Sequence, residues 1–149
     1  GRGKVTLIGH SLGGIYAREL ARQSPGSVRQ VISLGSPFGE GRDEGSNVRR
    51  LFDRLNPQRE RNPQDQARQK ELSRAPPVPT TSIYTKGDGV VNWRTSIQTP
   101  DHDRTQNIEV IGSHCGLTLN PAVWHVIADR LQQDADNWQL FESRFFKYH

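Results

Sequence analysis

KVTLIGHSLGGIY, residues 4–16, is the stretch that decides the fold. Val5 to Ile8 is a short apolar run, Gly9-His10-Ser11-Leu12-Gly13 spells G-x-S-x-G, and helix-forming sequence follows without a gap. The order predicts a buried strand over residues 4–10, a sharp turn carrying a serine, and a helix over 12–23. A tight, strained turn would project the serine hydroxyl from the end of a sheet. Glycines at 9 and 13 are expected there because side chains would collide with the neighbouring strand and helix. Leu12 comes next after the serine, where its backbone N–H and the helix N-terminus would favour negative charge. The competing reading is a chance match in a loop. The β-rich run before it and the amphipathic helix after it argue against that.

After the serine turn, the helix is expected to bury a stripe of Ile15, Tyr16 and Leu20 and to stop at Ser24-Pro25-Gly26. Val28 to Leu34 reads as a second strand ending in the loop Gly35 to Gly39. Strand, helix, strand at this spacing is a βαβ unit, so the fold class is α/β with a parallel sheet and flanking helices. Thr80 to Thr85 and Asn107 to Ile111 read as third and fourth strands, each followed by a glycine-flanked loop. Asn120 is placed to cap a last helix beginning at Pro121, with Val123, Ile127 and Leu131 on one face. The tail from Trp138 carries aromatic residues suited to docking on the sheet.

Residues 40–75 break that rhythm. Val48, Leu51, Phe52 and Leu55 fall at helical spacing behind Ser46 or Asn47, and Pro57 ends the run. From Gln58 to Arg74 almost nothing is available to bury, which predicts a solvated helix or partial disorder. This segment accounts for much of the low apolar content, 32% of 149 residues. Net charge is +4 with acids and bases interspersed, which is not a nucleic-acid footprint. No apolar run approaches membrane-spanning length, so no integral membrane segment is expected. The single cysteine, Cys115, excludes an internal disulfide. The chain opens on Gly1-Arg2-Gly3 and contains no Met, so a piece of a longer protein is expected and the compartment is not read.

Functional groups of open parallel sheets gather at the carboxyl ends of strands. Ser11 ends the first strand, Asp88 follows the third and His114 follows the fourth. A serine hydroxyl needs a base to take its proton. His114 would do so and later protonate the leaving group, while Asp88 would fix the imidazole tautomer and stabilise its cation. Each has a plainer reading. Asp88 between two glycines is good turn chemistry. Asp101 and Asp103 are weaker acids, farther from a strand end, and the Asp101-His102-Asp103 run reads as a turn rather than a metal site. His125 lies inside the last helix, Ser36 lacks an elbow, and Cys115 reads as a small buried residue beside the histidine. No cofactor or metal is called for.

These residues resemble the α/β-hydrolase-fold serine esterases and lipases, in particular the bacterial lipase-like group. The resemblance rests on VTLIGHSLGGIYARELA, VISLGSPF, VPTTSIYTKGDGVVNW and IEVIGSHCGLTLNPAVWHVIADRL, in that order. It covers most of the chain outside residues 40–75. It implies Ser11, Asp88 and His114 as a triad in the chain order Ser-Asp-His, and the Leu12 N–H as one half of the oxyanion hole. It implies the C-terminal portion of the fold, with a core of residues 1–39 and 76–149 and a cap- or lid-like insert at 40–75. The implied substrate is a small-molecule acyl ester or lipid, cleaved through an acyl-enzyme. An acyltransferase or thioesterase would use the same triad, and a non-catalytic module or a truncated product is the alternative from another class. The strands that precede the nucleophile strand in such enzymes, and the loop giving the second oxyanion donor, have no counterpart in these residues. The chain alone is therefore expected to be weakly active or inactive.

Overall fold

The computed structural model of the chain describes residues 3–39, 71–134, 136–143 and 147–148. The short helix expected around Val48, Leu51, Phe52 and Leu55 lies outside the described residues, as does the insert up to residue 70.

One sheet contains β1 (Val5–His10), β2 (Val28–Leu34), β3 (Thr80–Tyr84), β4 (Thr105–Glu109) and β5 (Lys147–Tyr148), side by side in sequence order. β1 to β4 run parallel; β5, which the sequence did not announce, pairs antiparallel with β4. β4 begins and ends two residues earlier than expected, leaving Ile111 outside the sheet and almost fully exposed. Helix α1 (Leu12–Gln23) follows β1 and packs on β1 and β2, and helix α2 (Pro121–Gln132) follows the β4 loop. Asn120 caps α2 as expected, its Oδ1 accepting from the Ala122 N–H at 2.9 Å.

Successive residues of a strand point to opposite faces, and both faces of β2 to β4 are covered. The expectation of a buried β1 is corrected: in the described sheet it lies at the edge, with Val5 and Ile8 53% and 47% exposed. Val31 lies with Ala17, Ala21, Val28, Val78 and Leu7 on the α1 side. Ile32 and Leu34 join Ile83, Ile108 and Val110 against Val123, Val126 and Ile127 of α2. Phe141 completes that second cluster, so the tail does dock an aromatic ring.

Three further burial expectations are corrected. Tyr16 and Leu20 are 57% and 52% exposed, and the sheet-facing arc of α1 is Gly14, Ile15, Ala17, Arg18 and Ala21. Apolarity misplaced the stripe because the arc includes a buried arginine. Leu72 and Ser73, in a segment expected to be solvated, are buried. Two arginines one helical turn apart hold them. Arg18 donates to Leu72 O at 3.2 Å, Arg74 O at 2.8 Å and Gln98 Oε1 at 2.6 Å. Arg22 donates to Glu71 O, Leu72 O and Arg74 O. Carbonyls at the end of a helical turn have no partner within it, and the guanidinium groups supply one. The Arg18 guanidinium also lies 3.7 Å over the Phe38 ring. Burial, then the nearby Arg22 charge, pushes Arg18 well below its ordinary pKa, with Glu19 pulling the other way. Cys115, expected to be buried, is exposed. It opens the 3₁₀ turn Cys115–Leu119, whose buried residue is Leu117.

Candidate active site

The sheet register brings the strand ends level. His10 pairs with Leu34, and the next residue, Ser11, donates its N–H to Leu34 O at 2.8 Å. Gly35 N–H donates to Ile83 O at 2.9 Å, and Val110 N–H donates to Tyr84 O at 2.9 Å. Loops leaving β1, β3 and β4 therefore start along one edge.

Ser11 has φ 53° and ψ −121°, and among the described residues other than glycine it alone has a positive φ. Such a backbone is costly for a side-chain-bearing residue and marks a constrained turn. Gly9 permits it: a Cβ there would lie 2.3 Å from Gly13 C and O. The expectation for Gly13 is corrected. A Cβ on Gly13 meets nothing within 4 Å among the described residues, whereas one on Gly14 would lie 2.0 Å from Ser36 Oγ and 2.9 Å from Ser33 Cβ. The close approach of α1 to β2 falls at the second glycine of the pair. Leu12 is the first residue of α1, and N–H groups of a first helical turn have no acceptor within the helix.

Asp88 and His114 meet across 26 positions of sequence. His114 Nδ1 stands 2.7 Å from Asp88 Oδ2, with the side chains 7% and 1% exposed. The other carboxylate oxygen, Oδ1, accepts the N–H groups of Val90 at 2.9 Å and Val91 at 2.7 Å. The turn reading and the partner reading of Asp88 are thus both satisfied, one oxygen each. The Ser11 side chain makes no capping hydrogen bond, and among the described residues none joins it to His114.

The other candidates are engaged elsewhere. Asp101 pairs with Arg74 at 3.0 Å, and His102 Nε2 meets Pro76 O at 2.9 Å. His125 sits in α2 with its ring edge-on to Phe141. Ser36 is buried, its hydroxyl directed at Leu34 O.

Two residues at the site escaped the sequence reading. Gly35, at φ +52°, lies under the pair: a Cβ would stand 2.9 Å from Leu117 Cδ1, 3.2 Å from His114 Nδ1 and 3.3 Å from Asp88 Oδ2. A glycine directly after a strand was the available signal. His10 places Nε2 3.0 Å from His114 O, with the two ring centroids 4.7 Å apart and tilted by 41°. No sequence signal marks a contact between residues 104 positions apart.

A family profile described as alpha/beta hydrolase fold matches residues 1–73. No curated protein matches the sequence at a significant level. Among solved structures, the chain is similar to a monoacylglycerol lipase from Paleococcus ferrophilus, at 14% identity and TM-score 0.57, covering 87% of this chain and 66% of that one. It is similar to alpha/beta hydrolase domain-containing protein 10 from mouse, at 19% identity and TM-score 0.56, covering 88% and 61%. A serine hydrolase involved in carbazole degradation matches at 18% identity and TM-score 0.55, covering 87% and 64%. The chain spans less than two thirds of the length of each of these structures. With its parallel strands, flanking helices and serine-bearing turn, the chain has a partial α/β-hydrolase fold.

Proposed function

We propose that the chain carries the catalytic groups of a serine hydrolase acting on carboxylic esters, with Ser11 as nucleophile, His114 as base and Asp88 as its orienting acid. The observation that carries the reading is the buried 2.7 Å contact between His114 Nδ1 and Asp88 Oδ2. It holds the Nδ1–H tautomer and leaves Nε2 as the basic nitrogen. Likeness in fold to a monoacylglycerol lipase and to a serine hydrolase supports it at the level of fold.

In the reaction His114 Nε2 takes the proton of Ser11 Oγ as the oxygen attacks the ester carbonyl. The carbonyl oxygen becomes an oxyanion and turns toward the Leu12 N–H at the positive end of α1. Collapse of the tetrahedral species breaks the bond to the leaving alkoxide, which receives the proton from His114. Water then attacks the acyl-Ser11 ester, giving its proton to His114 and afterwards to Ser11. Asp88 keeps its negative charge beside the imidazolium throughout. One oxyanion donor is worth on the order of 100- to 1000-fold in rate, so the Leu12 N–H is a major contributor to the mechanism.

A fluorophosphonate probe tests this reading. The folded chain is expected to be labelled at Ser11, but slowly, as a site with one oxyanion donor should be, with Ser11→Ala not labelled at all and His114→Ala slower still. A folded wild-type chain that resists labelling would overturn catalysis by this chain. Nitrophenyl esters of increasing acyl length would then rank the substrate.

A further inference from the structure

The residue before the serine is placed by both backbone and side chain. The His10 backbone is fixed by its pairing with Leu34, and the next peptide bond leads directly to Ser11. Its side chain reaches sideways to the loop after β4, where Nε2 lies 3.0 Å from the backbone oxygen of His114. A carbonyl oxygen only accepts, so His10 Nε2 must carry a proton and donate it. That fixes the His10 tautomer and commits Nε2 to the loop, so this nitrogen does not compete with His114 for the serine proton.

His114 is otherwise held on one side. Asp88 grips the ring through Nδ1, and Gly35 and Leu117 pack beneath the pair. Its backbone oxygen accepts one further and long bond, from the Leu117 N–H at 3.4 Å. The ring contact at 4.7 Å adds a second face to the grip of His10.

We infer that His10 is a positioning residue: it ties the loop bearing His114 to the turn bearing Ser11, and so sets where His114 Nε2 stands relative to the Ser11 hydroxyl. The path from serine to base is one peptide bond, one imidazole and one hydrogen bond. The loop Gly112–Asn120 is anchored at its start by the Thr85 hydroxyl donating to Gly112 O at 2.9 Å and in the core by Leu117, and the His10 bond is the tie that joins it to the serine turn. Small displacements matter because proton transfer needs the donor and acceptor within about 3.2 Å. This inference rests on the proposed role of His114 as base.

The test compares wild type with His10→Gln, whose amide nitrogen reproduces the donor, and His10→Phe, which keeps the ring and loses the donor. Two measurements are taken on folded protein: the fluorophosphonate labelling rate of Ser11, and the solvent-exchange rate of the His114 Nδ1 proton by NMR. His10→Phe is expected to label about tenfold more slowly, the worth of one lost hydrogen bond, and to exchange that proton about tenfold faster. His10→Gln is expected to stay close to wild type in both. Unchanged exchange in His10→Phe, or equal losses in both variants, would overturn the inference. Wild type that resists labelling while the exchange contrast persists would count against the hydrolase reading and leave the tie itself standing.

Discussion

Gly35 is packed so closely against His114 that a Cβ on it would stand 3.2 Å from the ring Nδ1. The same methyl would meet Leu117 Cδ1 at 2.9 Å, and the φ of +52° disfavours any side chain. Gly35→Ala is therefore expected to cost about 1–2 kcal/mol from the backbone alone. It should also slow Ser11 labelling, because the Asp88–His114 pair must move to make room. Urea denaturation and probe kinetics on one preparation measure both.

Asp88 divides its work between two oxygens, so two substitutions separate them. Asp88→Asn keeps an acceptor for the Val90 and Val91 N–H groups and loses the charge facing His114. Labelling is expected to fall on the order of 10⁴-fold, with stability nearly kept. Asp88→Ala should lose the turn as well, at a further cost of about 1–3 kcal/mol. Equal stabilities for the two variants would show that the Oδ1 contacts contribute nothing.

Adjacent glycines of α1 should respond oppositely. Gly14→Ala drives a methyl into Ser36 and Ser33 and is expected to destabilise by about 1–3 kcal/mol. Gly13→Ala meets nothing within 4 Å among the described residues and gains helix propensity, so stability should rise by as much as about 1 kcal/mol. Thermal melts of the two variants against wild type check the signs.

Arg18 tests what returns the chain at residues 71–75 to helix α1. Arg18→Ala leaves the carbonyls of Leu72 and Arg74 and the amide oxygen of Gln98 without this donor. A loss of about 2–4 kcal/mol is expected, with proteolysis appearing first near residues 71–75. Cleavage elsewhere at equal rate would contradict the assignment.

Tyr84 predicts the alkaline limb of stability. Burial first, and then the Glu109 carboxylate, raises its pKa above the ordinary tyrosine value. The folded state thus holds the phenol proton longer than the unfolded chain does. Its contribution is full below the unfolded value near pH ~10 and declines as pH climbs through the folded one. Tyr84→Phe should flatten that decline in denaturation series run at rising pH.

Much of this was legible because it is local. β1, α1 and β2 follow from apolar runs, a turn-forming Ser-Pro-Gly and the elbow pattern, all short-range preferences of the backbone. The cap at Asn120 and Pro121 is local too. Ser11, Asp88 and His114 could be nominated because parallel topology puts strand-following loops on one edge. The misses are long-range. Tyr16 and Leu20 looked like a core stripe, yet burial depends on which arc of α1 faces β2, and Arg18 occupies that arc through partners 54 to 80 positions away.

A parallel α/β sheet, a strained serine turn, and an aspartate and a histidine in the loops after later strands are all written in runs of neighbouring residues. That Asp88 reaches His114, that Gly35 makes room for the pair, that Gly14 rather than Gly13 is the close approach to Ser33 and Ser36, and that His10 touches the His114 loop came from the folded arrangement. Those facts depend on register and packing between segments far apart in the chain. Distances of a few ångströms there are set by the whole sheet rather than by any local run of residues.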